Sequence, residues 1–173
     1  MLNVHERTLP AAPADVGGLI RSLSSEHDAL WPRSRWPAMT FDRPLGLNAA
    51  GGHGPIRYVV QEIQKDLIRF RFTAPKGFNG YHGFEVLPLS ERETILRHAL
   101  DMNAEGLAVL SWPLLYRPLH DALIEDSLAC AEESLGLQPQ IRPWSPWVRF
   151  LRWLLSRART RRQPIPKPTS KNN

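Results

Sequence analysis

The sequence has one cysteine and no long apolar run, and both shortages limit the kind of protein it encodes. Cys130 has no second cysteine with which to form an intramolecular disulfide, a pattern typical of a reducing compartment. No stretch approaches the roughly 18 consecutive apolar residues of a membrane-spanning helix. The opening residues, MLNVHERTLPAAP, lack a basic segment followed by an apolar one, so no secretory signal is expected. We therefore expect a cytoplasmic protein.

Sequence motifs of several catalytic classes are also missing. The chain contains no G-x-S-x-G nucleophile motif, and Ser111, Ser127 and Cys130 stand in no comparable signature. No H-x-x-x-H or H-E-x-x-H spacing indicates a metal, so we predict neither a metal nor a cofactor. Cys130 lies on the flank of an apolar helix face and is predicted to be a small buried hydrophobe rather than a reactive thiol.

Acidic residues are absent beyond residue 139, which makes the charge distribution uneven. Residues 1–139 carry 13 Lys and Arg against 17 Asp and Glu, a net charge of −4. Residues 140–173 carry 9 Lys and Arg and no acid, a net charge of +9. The overall charge of +5 describes neither part, and it does not support nucleic-acid binding by the whole protein. We expect any charge-based recognition to use the tail.

Short β-like segments followed by a long helix make up most of the chain, whose 173 residues suit one domain plus a tail. A first strand within LNVHERTL precedes a helix in PADVGGLIRSLSS. Four more strands follow, and short turns between them predict antiparallel hairpins. These strands are predicted at 55–63, 67–74, 81–89 and 93–102. Residues 106–135 then indicate a helix that Pro113 and Pro118 kink or interrupt.

The stretch GGHGPIRY, residues 51–58, combines three glycines, a histidine and a proline before an apolar run. It lacks the Lys-Ser/Thr of a P-loop, and a strand rather than a helix follows it, so a phosphate site is disfavoured. The glycines are typical of a tight turn with positive φ leading into a strand at Pro55. His53 at this turn is a candidate for ligand contact or for capping the turn.

The strands at 81–89 and 93–102 form one predicted hairpin with histidines on its buried face. If Pro88 pairs with Arg92, Phe84 faces Leu96. The same register places His82 opposite His98, and a slip of one residue would turn both outward.

His120 lies near the middle of the apolar face of the last helix, so it can approach His82 and His98. Three convergent imidazoles suit proton transfer or, less well without ligand spacing, a zinc or iron site. The interpretation we favour is that neutral imidazoles are hydrogen-bonded in a partly polar cavity. The helix's acidic residues project to the other side, namely Asp121, Glu125, Asp126, Glu132 and Glu133.

The tail segment PWVRFLRWLLSRARTRR predicts a basic amphipathic helix within residues 139–163. A basic face with interfacial tryptophans is typical of a helix on an anionic membrane surface. Docking on the domain or on a partner is the open alternative, and binding of nucleic acid is disfavoured. The candidate membrane-surface residues are Trp147, Arg149, Phe150, Arg152, Trp153 and Arg157. Residues 164–173 are predicted to be disordered.

Several strings resemble the SRPBCC superfamily, the START-like, Bet v 1-like and polyketide cyclase-like group with the helix-grip fold. They are VHERTLPAAPADV, LWP…WPAMTFDRPL, GGHGPIRYVV, FRFTAPKGFNGYHGFEV and W…RPLHDALIEDSLACAEE. The strings GGHGPIRY and RPLHDALIED are more closely similar to a branch known only as SRPBCC family protein. The resemblance spans about residues 3 to 136.

The resemblance implies an α+β protein in which a curved antiparallel sheet wraps around a long C-terminal helix, over residues 1–138. It also implies a deep hydrophobic cavity between sheet and helix. Superfamily members bind lipids, sterols, polyketides or plant hormones, and a minority are cyclases, dehydratases or oxygenase subunits. The iron-ligand patterns of the Rieske-oxygenase members are not found here, which argues against that role.

The expected function is therefore binding of a hydrophobic small molecule, such as a lipid or polyketide, with the tail as a peripheral tether at the inner membrane. The alternatives are a cyclase- or dehydratase-type enzyme and an interaction module with a vestigial cavity. The catalytic candidates of the enzyme alternative are His82, His98 and His120. The predicted ligand-binding residues are His53, Phe72, His82, Phe84, Leu96, His98, Trp112, Tyr116, His120 and Leu123.

Overall fold

The structure is a computed structural model that describes residues 1–160, with side chains described through residue 157. The predicted disordered tail and the last three residues of the predicted tail helix lie outside the described residues. The chain divides into two compact units, Met1–Arg142 and Pro143–Asn173, and each is described by itself.

Among the described residues, the first unit contains seven strands and three helices. The strands are β1 (Leu2–Leu9), β2 (Thr40–Phe41), β3 (Ala50–His53), β4 (Ile56–Ile63), β5 (Leu67–Ala74), β6 (Phe78–Ser90) and β7 (Glu93–Ala104). The helices are α1 (Pro13–Ser22), α2 (Ala108–Ser111) and α3 (Arg117–Ser134), and a π-helical turn, Trp112–Tyr116, joins α2 to α3. The second unit contains α4 (Pro146–Thr160).

All seven strands belong to one antiparallel sheet in the order β1-β7-β6-β5-β4-β3-β2. The first strand of the chain, β1, therefore pairs with the last strand, β7, at one edge of the sheet. Helix α3 packs against β1 at this edge. Buried apolar residues on the sheet and on α3 form the core, including Phe70, Phe84, Leu100, Leu123 and Leu128. The curved sheet with its long helix is the helix-grip fold, and the α+β prediction is confirmed.

The β6–β7 hairpin is confirmed, but its predicted register is wrong by two residues. Phe84 pairs with His98 rather than Leu96, and His82 pairs with Leu100. The predicted pairing centres the turn on Ser90, whereas the turn is Glu91–Arg92, beyond the pair of Ser90 and Glu93. A bulge between Pro88 and Ser90 then shifts the register back by one residue, which leaves a net difference of two. Because strand side chains alternate with a period of two, a shift of two residues keeps both imidazoles on the same face.

The glycine-rich stretch is itself a strand, and the prediction of a turn over residues 51–54 is wrong for most of it. Strand β3 pairs with β2 on one side and β4 on the other. Gly52 has φ +155°, and a Cβ on it would lie 2.0 Å from the carbonyl oxygen of Ile56. Glycine here permits a close approach of two backbones, and the turn is confined to Gly54 and Pro55.

The predicted interruption of the last helix is confirmed at both prolines. Pro113 lies in the π-helical turn, where the regular i to i−4 hydrogen-bond pattern is broken. Pro118 is the second residue of α3, directly after this turn, and has no N–H to continue the helical hydrogen-bond pattern across the junction. The turn places Trp112 and Tyr116 at the start of α3, beside His120.

Two glycine substitutions test how closely the backbones approach. We expect Gly52→Ala to lower the free energy of unfolding by at least about 2 kcal/mol, because the new Cβ collides with a paired strand. The matched control is Gly18→Ala in α1, where a Cβ meets nothing within 4 Å. This control should raise the free energy of unfolding by about 1 kcal/mol, the helix preference of alanine over glycine. Urea unfolding measures both, and equal effects of the two would contradict the close approach.

Candidate functional site

Three of the predicted histidines lie in contact in the core, and we call His82, His98 and His120 the imidazole row. Strand β6 supplies His82, β7 supplies His98, and α3 supplies His120. Nδ1 of His82 lies 3.3 Å from Nε2 of His98, and the ring centres of His98 and His120 are 5.0 Å apart. His82 is 6% exposed and His98 is 1% exposed. The row thus runs from the sheet to the helix within the core.

Aromatic rings enclose the imidazole row on both sides. Phe72 stacks on His82 with ring centres 4.8 Å apart, and Phe84 meets His98 edge-on at 4.8 Å. Trp112 lies 5.8 Å from His120 between ring centres. These rings occupy much of the space between sheet and helix in which the resemblance implies a deep cavity.

The other predicted ligand-binding residues reach the row through rings that the sequence did not single out. His53 contacts Tyr58, with its Nδ1 3.0 Å from the hydroxyl, and Tyr58 in turn lies 4.9 Å from His82 between ring centres. Tyr116 packs edge-on against Phe78 at 5.0 Å, and Phe78 contacts Phe72 and Trp112. Leu96 on β7 and Leu123 on α3 are buried, but as aliphatic residues they take no part in these ring–ring contacts.

Several buried polar atoms of this region have no hydrogen-bond partner. They are Nε2 of His82, Nδ1 of His98, both ring nitrogens of His120 and Oδ1 of Asn3. A buried polar atom left unpaired costs about 1–3 kcal/mol, and most buried polar atoms in folded proteins are paired. Such atoms are concentrated here on adjacent side chains, so this region is suited to an external hydrogen-bonding group.

The imidazoles of the row are neutral near pH 7. Burial disfavours the charged form and holds the pKa of His82 and of His98 well below 6.5. Burial also lowers the pKa of His120, although neighbouring Asp121 opposes the shift. A neutral imidazole has one donor and one acceptor nitrogen, so the row can both donate and accept hydrogen bonds.

A network of charged side chains joins β1 to α3, and we call it the β1–α3 seam. Arg7, which is 6% exposed, binds Glu132 at 3.1 Å and Glu125 at 3.0 Å. His5 lies between Glu125, 2.8 Å from its Nδ1, and Asp121, 3.2 Å from its Nε2. The seam consists of Asn3, His5, Arg7, Asp121, Glu125 and Glu132.

The seam overturns the prediction that the acidic residues of α3 project away from the core. Glu125, Asp126 and Glu132 are all buried. Glu125 and Glu132 are paired with basic side chains on the inward side of β1. The sequence pattern gave no reason to place these polar residues of β1 inside. The third, Asp126, accepts hydrogen bonds from Arg35 and from the indole of Trp36, each at 2.6 Å. Of the acids predicted to be outside, Glu133 is exposed and Asp121 is half-buried.

His5 differs electrostatically from the imidazole row. Burial disfavours its charged form, but hydrogen bonds to Asp121 and Glu125 outweigh that effect and raise the pKa of His5 above 6.5. Its ring centre lies 6.1 Å from that of His120. The seam and the imidazole row therefore meet between these two histidines.

Two surface cavities lie on the first unit. One, of about 320 Å³, is bounded by the start of β1 and by α2 with its π-helical turn. Its lining residues are Met1, Leu2, Asn3, Val109, Trp112, Pro113 and Arg117. We call it the β1–α2 cavity. Asn3 also contacts Asp121, and Trp112 also contacts His120, so this cavity lies directly outside the imidazole row. The other, of about 760 Å³, lies beside the start of α1 and does not touch the histidines.

Cys130 is free and partly buried, and burial raises the pKa of its thiol to about 11. The thiolate is the nucleophilic form, so this cysteine is a poor nucleophile near neutral pH.

The second unit presents a ladder of exposed aromatic rings on α4. Trp147 stacks on Phe150 at 5.4 Å between ring centres, and Phe150 stacks on Trp153 at 6.0 Å. These three side chains are 46–47% exposed. The guanidinium of Arg157 covers the Trp153 ring at 4.2 Å. No helix among residues 1–160 combines the length and apolarity needed to cross a bilayer.

No protein-family model matches the chain, and no curated protein matches its sequence. Solved structures match its fold. Norcoclaurine synthase from Thalictrum flavum, in complex with dopamine and hydroxybenzaldehyde, aligns with a TM-score of 0.58 at 11% identity, over 81% of this chain and 89% of that one. Ara h 8.0201 aligns with a TM-score of 0.57 at 11% identity, over 79% and 98% of the two chains.

A solution structure from Thermobifida fusca, target TfR85A of a structural genomics consortium, is also similar, with a TM-score of 0.58 at 16% identity. It covers 82% of this chain and is itself covered over 97% of its length. At these identities the similarity establishes the fold alone, and that fold is Bet v 1-like. The narrower resemblance to one SRPBCC branch stays a prediction.

Proposed function

We propose that this protein binds a small, largely apolar molecule that carries one hydrogen-bonding group, at the β1–α2 cavity. The observation that carries the proposal is the group of unpaired buried nitrogens on His82, His98 and His120 behind that cavity. A hydroxyl, carbonyl or carboxyl group of a ligand is suited to pair with such nitrogens, beginning with His120. The apolar contacts come from lining residues of the cavity, namely Met1, Leu2, Val109, Trp112 and Pro113.

The cavity itself supports the proposal. Its volume of about 320 Å³ lies at the lower end of the range for small-molecule sites. Apolar side chains around it are unusually exposed, with Leu2 at 72%, Val109 at 55% and Leu110 at 65%. Trp112 lines the cavity and its ring centre lies 5.8 Å from that of His120, so the indole stands between the cavity and the imidazole row. We infer that the molecule enters here, past Trp112.

A structural neighbour supports the chemical class of the ligand. The T. flavum norcoclaurine synthase described above was solved with dopamine and hydroxybenzaldehyde, two small aromatic molecules with hydroxyl groups. Such molecules suit the apolar lining of the cavity with its one indole, Trp112, and the unpaired imidazole nitrogens behind it. A lipid or a polyketide is a larger ligand and requires the aromatic core to open further.

The pKa shifts favour binding over the cyclase- or dehydratase-type alternative. Proton transfer by a histidine is most efficient when its pKa lies near the working pH. Burial holds the pKa of His82 and His98 well below 6.5, which makes them weak bases at pH 7. The contact of 3.3 Å between their ring nitrogens is the observation that keeps a proton-transfer role as the second candidate.

A cavity-filling substitution tests the binding proposal. We expect 2-naphthol, a flat aromatic probe with one hydroxyl, to bind the wild-type chain saturably at one site in a calorimetric titration. Val109→Trp should weaken this binding at least about tenfold, because the indole fills the cavity. The matched control is Leu107→Trp, at a position that is 86% exposed and does not line the cavity. Unchanged binding by Val109→Trp, or none by the wild type, would overturn the proposal.

We also propose that the second unit holds the protein on an anionic membrane surface. Support comes from the exposed Trp147, Phe150 and Trp153 ladder, since amphipathic rings are preferred at the bilayer interface. Charge complementarity is the second support, because residues 140–173 contain nine cations and no acid. Each cation near an anionic surface adds about 1 kcal/mol, and salt weakens this attraction.

Vesicle co-sedimentation tests the membrane proposal. We expect the chain to sediment with vesicles rich in phosphatidylglycerol and to be released by high salt. The triple variant Trp147→Ser, Phe150→Ser, Trp153→Ser should lower the bound fraction at least about fivefold, because it removes the inserted rings. A matched variant replaces three exposed leucines of the first unit, Leu89, Leu107 and Leu110, by serine. Equal sedimentation of the two triple variants would show that α4 docks elsewhere.

A further inference from the structure

We propose that His5, His120 and Asp121 form a binding site for a divalent transition-metal ion of the zinc type. The sequence predicted no metal, and its histidine set did not include His5. One ligand atom from each residue lies within 4.8 Å of the other two. The site joins β1 to α3 and does not depend on the small-molecule proposal.

The separations of the ligand atoms fit four-coordinate geometry. Oδ1 of Asp121 lies 3.2 Å from Nε2 of His5 and 3.5 Å from Nδ1 of His120. Zinc bonds to nitrogen and oxygen are about 2.0–2.2 Å, which places neighbouring atoms of a tetrahedron about 3.4 Å apart. Two of the three ligand separations therefore already match a bound ion, and the third, between the two imidazole nitrogens, is at most 4.8 Å.

His5 is oriented as a metal ligand by the carboxylate behind it. Its Nδ1 lies 2.8 Å from Oε1 of Glu125. The carboxylate accepts a hydrogen bond from Nδ1–H, and this orients Nε2 toward Asp121. Arg7 and Arg142 each hold the other oxygen of Glu125 at 3.0 Å. Metal-binding histidines usually donate their second N–H to a carboxylate in this way. Glu125 is thus a positioning residue of the site.

Two unpaired groups at the site favour a cation. Neither ring nitrogen of His120 has a hydrogen-bond partner, and Nδ1 of that ring faces Asp121. Oδ1 of Asn3 is buried and unpaired, while the Nδ2 of the same amide donates to Asp121 at 2.9 Å. Two imidazoles with oxygen ligands suit Zn²⁺, Co²⁺ or Ni²⁺ better than Ca²⁺ or Mg²⁺.

The site is reached from solvent through the β1–α2 cavity. Asn3 lines that cavity, and the side chain of Asp121 is 35% exposed. Arg117 lies 3.8 Å from Oδ2 of Asp121, on the oxygen that the proposed ion does not use. An ion therefore has a route to the ligands that leaves the core closed.

Calorimetric titration of the full chain with ZnCl₂, after removal of metal with EDTA, tests the proposal. We expect one ion to bind per chain in the wild type. His120→Ala and Asp121→Asn should each weaken binding at least about tenfold, and Glu125→Gln should weaken it by about tenfold through the orientation of His5. The matched control is His27→Ala, which removes an exposed imidazole from the turn after α1 and should leave the zinc affinity unchanged.

A spectroscopic readout distinguishes this site from weak surface binding. With Co²⁺ in place of Zn²⁺, the wild type should show the intense visible bands of a four-coordinate ion, and His120→Ala should lose them. Far-UV circular dichroism shows which variants are folded. If His120→Ala does not fold, Asp121→Asn, at a half-buried position, replaces it as the variant that tests the site. Absence of stoichiometric binding by the wild type, or binding unchanged by both variants, would overturn the proposal. The zinc titration contains no 2-naphthol and the naphthol titration contains no zinc, so failure of the small-molecule proposal can be distinguished from failure of this one.

Discussion

The buried ion pairs of Arg7 are the interaction on which the rest of the structure depends. Arg7 on β1 bridges Glu125 and Glu132 on α3, with 6% of the arginine exposed. A buried charge without its partner is strongly unfavourable, so helix and strand are held in one relative position. Because β1 is also paired with β7 along its whole length, the seam fixes α3 to the strand that carries His98.

The position of α3 in turn determines what the core contains. The helix places His120 in contact with His98, and the π-helical turn before the helix places Trp112 in contact with His120. The imidazole row is therefore enclosed, and nitrogen atoms of each of its rings are left without partners. Such atoms reduce stability where they serve only the fold. Their concentration beside a surface cavity is the reason that we connect the row with ligand binding and the neighbouring seam with a metal ion.

Local signals in the sequence predicted the elements of the fold, and the resemblance to the SRPBCC superfamily predicted their helix-grip arrangement. Alternating strands, short turns and the prolines of the last helix all indicated the antiparallel sheet and the interrupted helix. The hairpin register was missed because the turn lies at Glu91–Arg92 rather than around Ser90. Together with the one-residue bulge near Pro88, this gives a net shift of two, which sequence alternation does not reveal. His82 and His98 were nevertheless placed on the correct face for the same reason.

The seam could not be predicted from hydrophobic periodicity. Asn3, His5 and Arg7 alternate with Val4, Glu6 and Thr8, so neither side of β1 is distinctly apolar. The acids of α3 were assigned outward because burial of a charge is usual only where a partner is present. That partner lies more than a hundred residues away in the chain, on a strand whose inward side is basic. The one signal available was this basic alternation itself, since an inward arginine requires an acidic partner.

A double-mutant cycle on Arg7 and Glu132 tests most directly whether the seam holds the fold together. Arg7→Met leaves the buried Glu132 carboxylate without its arginine and should lower the free energy of unfolding by about 3–5 kcal/mol. Glu132→Met leaves Arg7 with Glu125 as its remaining partner, so its loss should be smaller. The double variant leaves neither of these two charges, so its loss should be clearly smaller than the two single losses added. Urea unfolding at pH 7 measures all four chains. Single losses that simply add would contradict the account, because they would show that strand and helix do not depend on this pair.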